Sequence, residues 1–339
     1  MGKKHLFDFV IGNPPYQEDT DGAGRQAKPV YNLFVEEAKK ITGESFSLIT
    51  PSRWFSGGMG LDSFRNEMLN DRHIKCIVDH TNAKDIFPNN SVSGGVSYFV
   101  WSRNYDGDCT FTNTTNGETS TQKRKLGEFP VLVRYNRAID IIHKVENISQ
   151  KSIVSITSGL MPFGLSTNYR GQNQKSLKNS ITLYSSNSIT YISEDEIKKG
   201  INYINKYEVM VSKTGAEHAG EPGKDGKFRV IPSSMKVICP GEVCTHSYFL
   251  IGEFDDAHTA ANLYKYMKTR FVRFLMLMAM SGYGLSKITM IFVPIQDYTD
   301  KSDIDWSKSV HEIDLQLYKK YGLSTDEIQF IESHVKEME

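Results

Sequence analysis

The 339-residue sequence predicts an α/β fold followed by a second, mixed α+β region, and three observations carry that expectation. The first hundred residues alternate short β-rich runs with stretches of helical spacing, the pattern of strands joined by helices. After about residue 104 the composition turns to Asn, Thr and Gly, which marks a change of organisation. The length is sufficient for two domains, each with its own core.

Leu6-Phe7-Asp8-Phe9-Val10-Ile11-Gly12 reads as a buried strand that stops abruptly, because glycine is followed closely by two prolines. Residues 30–42 place apolar side chains at helical intervals, with Glu before Lys on the polar face. Phe46 to Ile49 forms a short strand halted by Pro51, and Leu61 to Leu69 a second helix. Ile74 to Val78 and Val96 to Val100 complete the alternation, the latter after the Gly94-Gly95 pair. Residues 104–123 suggest hairpins or a loose connection, and Val133 to Val145 a helix. A longer mixed region begins at Ile153, with polar Asn- and Ser-rich stretches over 166–193, a Gly-rich charged loop over 213–228, and helix-like runs at 257–280 and 309–336. The boundary between the two expected domains, 1–150 and 151–339, falls near residue 150.

Composition narrows the setting. Lys plus Arg and Asp plus Glu both number 40, so no overall basic footprint announces a nucleic-acid partner, although a basic cleft balanced by acidic faces is compatible with it. Cys239 and Cys244 are too widely spaced for a CxxC knuckle, and no second pair or His cluster completes a metal site, which leaves reduced thiols of a cytoplasmic protein. The longest apolar run, Phe271 to Met280, is interrupted by Arg273 and is too short to span a bilayer. No membrane partner is expected.

The most specific feature is Asn13-Pro14-Pro15-Tyr16, directly after the first strand. From average residue usage, such a tetrapeptide arises by chance in roughly one chain in a thousand of this length. A Pro-Pro turn with Tyr16 packed at its edge is the plain alternative. Chemically, the Asn13 side-chain oxygen and the Pro14 carbonyl form a pair of acceptors, the second held rigidly because proline fixes φ. Two such acceptors hold both protons of a planar amine and favour positive charge on its nitrogen, a preorganised electrostatic effect. Tyr16 adds a face on which a base turned out of a duplex could stack.

Strand-then-Asn-Pro-Pro-Tyr resembles motif IV of the amino-methyltransferases, and the chain as a whole resembles the Eco57I-type adenine methylases. Val30-Tyr31-Asn32-Leu33-Phe34 is similar to their motif V, Leu48 to Phe55 to motif VI, and Ile86-Phe87-Pro88 leading to Gly94-Gly95-Val96 to motif VIII. Asp305-Trp306, Leu317 to Leu323 and Glu327-Ile328 resemble the family's tail. The resemblance implies a partial class I (Rossmann-like) methyltransferase sheet followed by a target-recognition domain, in a restriction–modification enzyme that methylates adenine N6. It implies direct transfer from S-adenosylmethionine to a flipped adenine in double-stranded DNA. Asn13, Pro14, Pro15 and Tyr16 would form the catalytic loop, and Tyr16 and Phe87 would stack on the base. Arg53, Arg170, Lys175, Lys213 and Lys224 have the chemistry expected of DNA contacts.

One departure is large. The family's Gly-rich donor-binding turn and its ribose-binding acid precede the tetrapeptide, where this sequence has twelve residues. Gly215, Gly220, Gly223 and Gly226 lie in a charged stretch in the wrong order, and Gly57-Gly58-Met59-Gly60 reads as the turn after motif VI. The half that grips the target base is therefore expected here, with the donor half elsewhere, and the first strand should present an apolar edge to an N-terminal half or a second chain. A DNA-binding fragment or subunit without activity of its own is the competing reading. A nuclease is disfavoured, because Glu194-Asp195-Glu196 with Lys198 and Lys199 reads as an ordinary charged helix start.

Overall fold

A computed structural model describes residues 5–19, 27–175, 180–213, 222–230, 234–280 and 284–338. The chain divides into two compact units, Met1–Ile139 with Met278–Gly282 and Asp140–Leu277 with Tyr283–Glu339.

The first unit contains β1 (Phe7–Gly12), α1 (Tyr31–Ile41), β2 (Thr42–Pro51), α2 (Asp62–Asn70), β3 (Ile74–His80), β4 (Val96–Ser102), β5 (Cys109–Thr115) and β6 (Glu118–Arg124). The six strands form one sheet in the order β1-β2-β4-β3-β5-β6. β1 and β2 are parallel, β4 runs antiparallel between β2 and β3, and β3 and β5 are parallel again. This is the α/β class expected, with a mixed sheet of parallel and antiparallel strands.

Helix α1 forms because Tyr31, Val35 and Ala38, spaced i, i+4, i+7, share one buried stripe. α2 contributes Phe64, Met68 and Leu69 to the same core, where they meet Phe46, Leu48, Ile77, Phe99, Trp101 and Phe111 from the sheet. Phe46 stacks on Trp101 with centroids 5.2 Å apart, and Trp54 packs edge-on against Phe55 and Phe64. Such pairs each contribute about 0.5–1.5 kcal/mol beyond the area they bury.

The other face of the sheet is different. On β1, Val10 pairs with Phe46 and packs on the core, so Phe9 and Ile11, which pair with Ser45 and Ser47, point the opposite way. Phe7, Phe9 and Ile11 are 54%, 66% and 88% exposed, and β1 is an edge strand. The apolar edge expected from the sequence is present.

The stretch 104–123 resolves to the hairpin alternative. Asn116 and Gly117 both take positive φ (51° and 82°), the geometry of a tight hairpin turn, and Thr112–Thr121 and Thr114–Thr119 hydroxyl pairs tie β5 to β6. The helix expected over 133–145 is α3 (Ala138–Ile148), five residues later. Residues 132–135 are buried but non-helical, because Leu132 N–H donates to the Phe55 carbonyl and Arg134 reaches across the sheet.

The second unit is α+β. β10 (Met235–Ile238), β9 (Tyr207–Ser212) and β12 (Tyr248–Phe254) form one three-stranded sheet. β11 (Glu242–Cys244), β7 (Ser180–Tyr184) and β8 (Ile189–Ser193) form a second. The helix-like runs become two pairs, α4 (Ala257–Lys268) with α5 (Arg270–Met278), and α6 (Val310–Lys320) with α7 (Thr325–His334). Ser309 with Glu312 and Ser324 with Glu327 form capping boxes that start α6 and α7. The Asp314 carboxylate accepts from the N–H groups of Arg270 and Phe271, both at 2.9 Å, which satisfies the start of α5. Glu194–Glu196 is a single 3-10 turn capped by Ser193. No helix among the described residues is long and apolar enough to cross a membrane.

Candidate active site

Strand polarity gathers the site at one end of the first sheet. β1 and β2 are parallel, so their carboxyl ends share an edge, where ligands of open α/β sheets bind. The register Pro51↔Val96↔His80 brings the start of β4 and the end of β3 to that edge as well. The loops carrying residues 13–16, 51–53 and 81–95 all leave from it.

Asn13-Pro14-Pro15-Tyr16 follows Gly12 without an intervening residue. Asn13 and Pro15 are exposed, Pro14 is buried and Tyr16 half-buried. The segment is anchored laterally: the Tyr16 carbonyl accepts from Val30 N–H at 3.3 Å, and Glu18 N–H donates to the Lys28 carbonyl at 2.9 Å. Tyr16 faces a cavity of about 340 Å³, lined also by Gln17, Ala27, Pro29, Tyr31, Pro51, Arg53, Ser91, Val92 and Ser93. That volume lies within the roughly 300–1,000 Å³ of small-ligand pockets.

The walls combine aromatic rings with one charge. The Tyr16 hydroxyl is buried without a hydrogen-bond partner among the described residues, and burial raises its pKa. Burial raises Tyr31 further, against the opposing field of Arg53. Both phenols therefore remain neutral near pH 7, as stacking surfaces that can also donate a hydrogen bond. Arg53, on the turn after β2, donates to Met59 Sδ at 2.9 Å and is the one charged residue in the lining among the described residues.

The structure brings Tyr16 and Arg53 together but does not place every expected residue in the cavity. None of Asn13, Pro14, Pro15 and Phe87 belongs to its described lining. Phe87 is half-buried in the loop between β3 and β4, its N–H bonded to the Ala83 carbonyl at 2.8 Å. In the second unit Arg170, Lys175 and Lys224 are exposed, with the Arg170 guanidinium turned back onto the carbonyls of Thr167 and Tyr169. The Lys213 ammonium is buried with no hydrogen-bond partner among the described residues, and burial lowers its pKa. Gly215 and Gly220 lie outside the described residues. Tyr31 is a cavity residue that sequence reasoning missed. Its place depends on the 16–18 and 28–30 segments pairing, which no local pattern announces.

Gly57-Gly58-Met59-Gly60 does not fit a donor cradle. All four residues take positive φ, but a Cβ at Gly57 would lie 2.3 Å from Arg65 Nη1 and 2.5 Å from Asp62 Oδ1. The glycine is required by the turn's own helix, and the Gly58 N–H is already directed to Asp62 at 3.3 Å. The described residues show no fit to S-adenosylmethionine at this loop.

Residues 1–87 match the family model of the Eco57I restriction-modification methylase. The resemblance carried by the motifs holds over this segment, which spans the tetrapeptide, both helices of the first unit and Phe87. An uncharacterized adenine-specific methylase from Mycoplasma pneumoniae is 31% identical over 160 residues, 42% of this chain and 37% of the relative. The chain thus spans little more than a third of that relative's length. Among solved structures, the type IIL restriction-modification enzyme MmeI in complex with DNA aligns with 95% of this chain and 56% of its own, at 12% identity and a TM-score of 0.48. The type IIG restriction endonuclease BpuSI aligns with 91% and 48%, at 11% identity and a TM-score of 0.34.

Proposed function

We propose that the chain is the base-gripping and DNA-recognising portion of an adenine-N6 methyltransferase of a restriction–modification system. The observation that carries the reading is the position of Asn13-Pro14-Pro15-Tyr16: it leaves the carboxyl end of β1 and delivers Tyr16 to a cavity that also holds Tyr31 and Arg53. The Asn13 oxygen and the Pro14 carbonyl take the two protons of the adenine N6 amine. That withdraws nothing from nitrogen and stabilises the positive charge it gains on attack. Tyr16 stacks on the extruded base, a contact worth about 1–3 kcal/mol, and Phe87 is the aromatic assigned to the opposite face. Arg53 meets the phosphate beside the flipped nucleotide. In the second unit, Arg170, Lys175 and Lys224 contact DNA, while Lys213 serves only if its ammonium leaves its buried position.

The bare face of β1 supports the need for a further part. Rossmann-like sheets are covered on both faces, and here Phe7, Phe9 and Ile11 are open. A donor-binding half, on the same polypeptide or a second chain, would pair with β1 and cover these side chains. The same observation favours the second reading, a DNA-binding subunit inactive until that half is supplied.

Calorimetric titration with S-adenosylmethionine, followed by methyl transfer to mixed-sequence duplex DNA, separates the two. Heat and N6-methyladenine from the chain alone establish an autonomous enzyme. Absence of heat from folded protein establishes dependence on a partner. In whichever form is active, Asn13→Ala should reduce methyl transfer at least a hundredfold, as loss of a preorganised polar contact does. Retained transfer would reject the assigned chemistry.

A further inference from the structure

We propose that Asp79 and Arg134 are positioning residues that set the shape of the Tyr16 cavity by tying two of its walls to one buried carboxylate. The proposal rests on reading that cavity as the nucleobase site.

Asp79 lies near the end of β3 with none of its surface exposed, and Arg134 is 5% exposed. Arg134 grips it with two bonds, Nη2 to Oδ1 at 2.7 Å and Nε to Oδ2 at 2.9 Å. The remaining capacity of the carboxylate is used as well: Ser52 Oγ donates to Oδ1 at 2.7 Å, and Asn113 Nδ2 to Oδ2 at 2.7 Å. Arg134 Nη1 then donates to the Gly94 carbonyl at 2.9 Å. Ser52 N–H donates in turn to the Gly95 carbonyl at 3.1 Å.

Those attachments fall on the residues next to the cavity walls. Ser52 sits between Pro51 and Arg53, both in the lining, and Gly94 follows Ser91, Val92 and Ser93. One carboxylate–guanidinium pair therefore fixes the turn after β2 and the loop before β4 relative to each other. Energetically the pair is not needed for the core. Taking two charges out of water costs several kcal/mol each, and apolar replacements of similar volume are often neutral or stabilising. A buried pair whose carboxylate accepts four hydrogen bonds instead specifies a geometry. The geometry specified here is that of the loops rather than of the sheet, since β3 and β4 are already joined by their own ladder.

The test uses the full chain with Arg134→Lys, Ser52→Ala and the apolar double variant Asp79→Leu/Arg134→Met. Two readouts are taken: amide hydrogen exchange, and affinity for a thymine-tract oligonucleotide with one central adenine. In variants with unchanged circular dichroism, exchange is expected to rise at least tenfold in residues 52–57 and 91–95 and to stay level in β2, β3 and β4. Adenine affinity should fall several-fold in parallel. Uniform acceleration across the sheet, or unchanged loops in a folded variant, overturns the proposal. Ser52→Ala removes a single hydroxyl and keeps the test valid should the double variant not fold. If loop exchange rises while wild-type protein shows no preference for adenine, the positioning role stands and the nucleobase reading of the cavity fails.

Discussion

Glu208 shows how a single side chain can govern the response of a unit to pH. It lies on β9 with none of its surface exposed, and neither carboxylate oxygen has a hydrogen-bond partner among the described residues. Burial, with Glu253 adding to it and Lys206 opposing it, pushes the Glu208 carboxyl up to about 8. An acid whose folded pKa is raised binds a proton more tightly in the folded state than in the unfolded one. Its contribution is therefore least harmful below the ordinary carboxylate range, and stability is lost as pH climbs from about 4.5 to about 8. The loss is on the order of a few kcal/mol, each lowering Tm by roughly 2–4 °C in a unit of this size. Glu208→Gln is expected to remove most of that slope, with Tm at pH 9 above wild type and Tm at pH 5 little changed. Parallel Tm-against-pH curves for the two proteins would contradict this assignment.

At the scale of elements, the loop before β4 is the most constrained piece of the site. Gly95 has φ 82°, and a Cβ there would lie 2.1 Å from the His80 carbonyl oxygen. Gly95→Ala is expected to cost roughly 1–3 kcal/mol from backbone strain alone, with more from the clash. A thermal melt unchanged to within a degree would show that the loop can move away without penalty. The elements also show what was legible. α1, α2, β3 and β4 were readable because their apolar positions repeat at the strand or helix period and are buried on one side. β1 is the expected strand but not a buried one, its residues being half-buried or exposed because it lies at the sheet edge. β7 and β8 lie in a stretch whose Asn and Ser content masked the alternation of Ile181 and Leu183 with half-buried neighbours. Arg134 was not legible as a partner of Asp79, fifty-five positions away, because ion pairs across a sheet leave no local pattern. The tetrapeptide Asn13 to Tyr16 was fully visible, but Tyr31, which lines the same cavity, was not.

At the scale of the whole molecule, the first unit is a sheet covered on one face. Phe7, Phe9 and Ile11 on β1, with Leu33 and Phe34 on α1, expose large apolar side chains that an isolated soluble unit would ordinarily bury. Phe9→Lys/Ile11→Lys is expected to leave the fold intact and to reduce self-association, as followed by sedimentation velocity, since charge on an edge strand opposes pairing. A large fall in Tm would show instead that these side chains are packed.

The proposed grip on both N–H groups of the adenine amine can be measured without a methyl donor and without knowing the recognition sequence. Calorimetry would compare two thymine-tract oligonucleotides that differ at one central base, adenine or N6,N6-dimethyladenine. The dimethylated base keeps the stacking face and loses both donors. Two lost hydrogen bonds at about 0.5–1.5 kcal/mol each predict an affinity for adenine about five- to 150-fold higher, with the preference cut about two- to twelvefold by Asn13→Ala, which leaves the Pro14 carbonyl in place. Equal affinity of the wild-type protein for the two oligonucleotides would contradict the account.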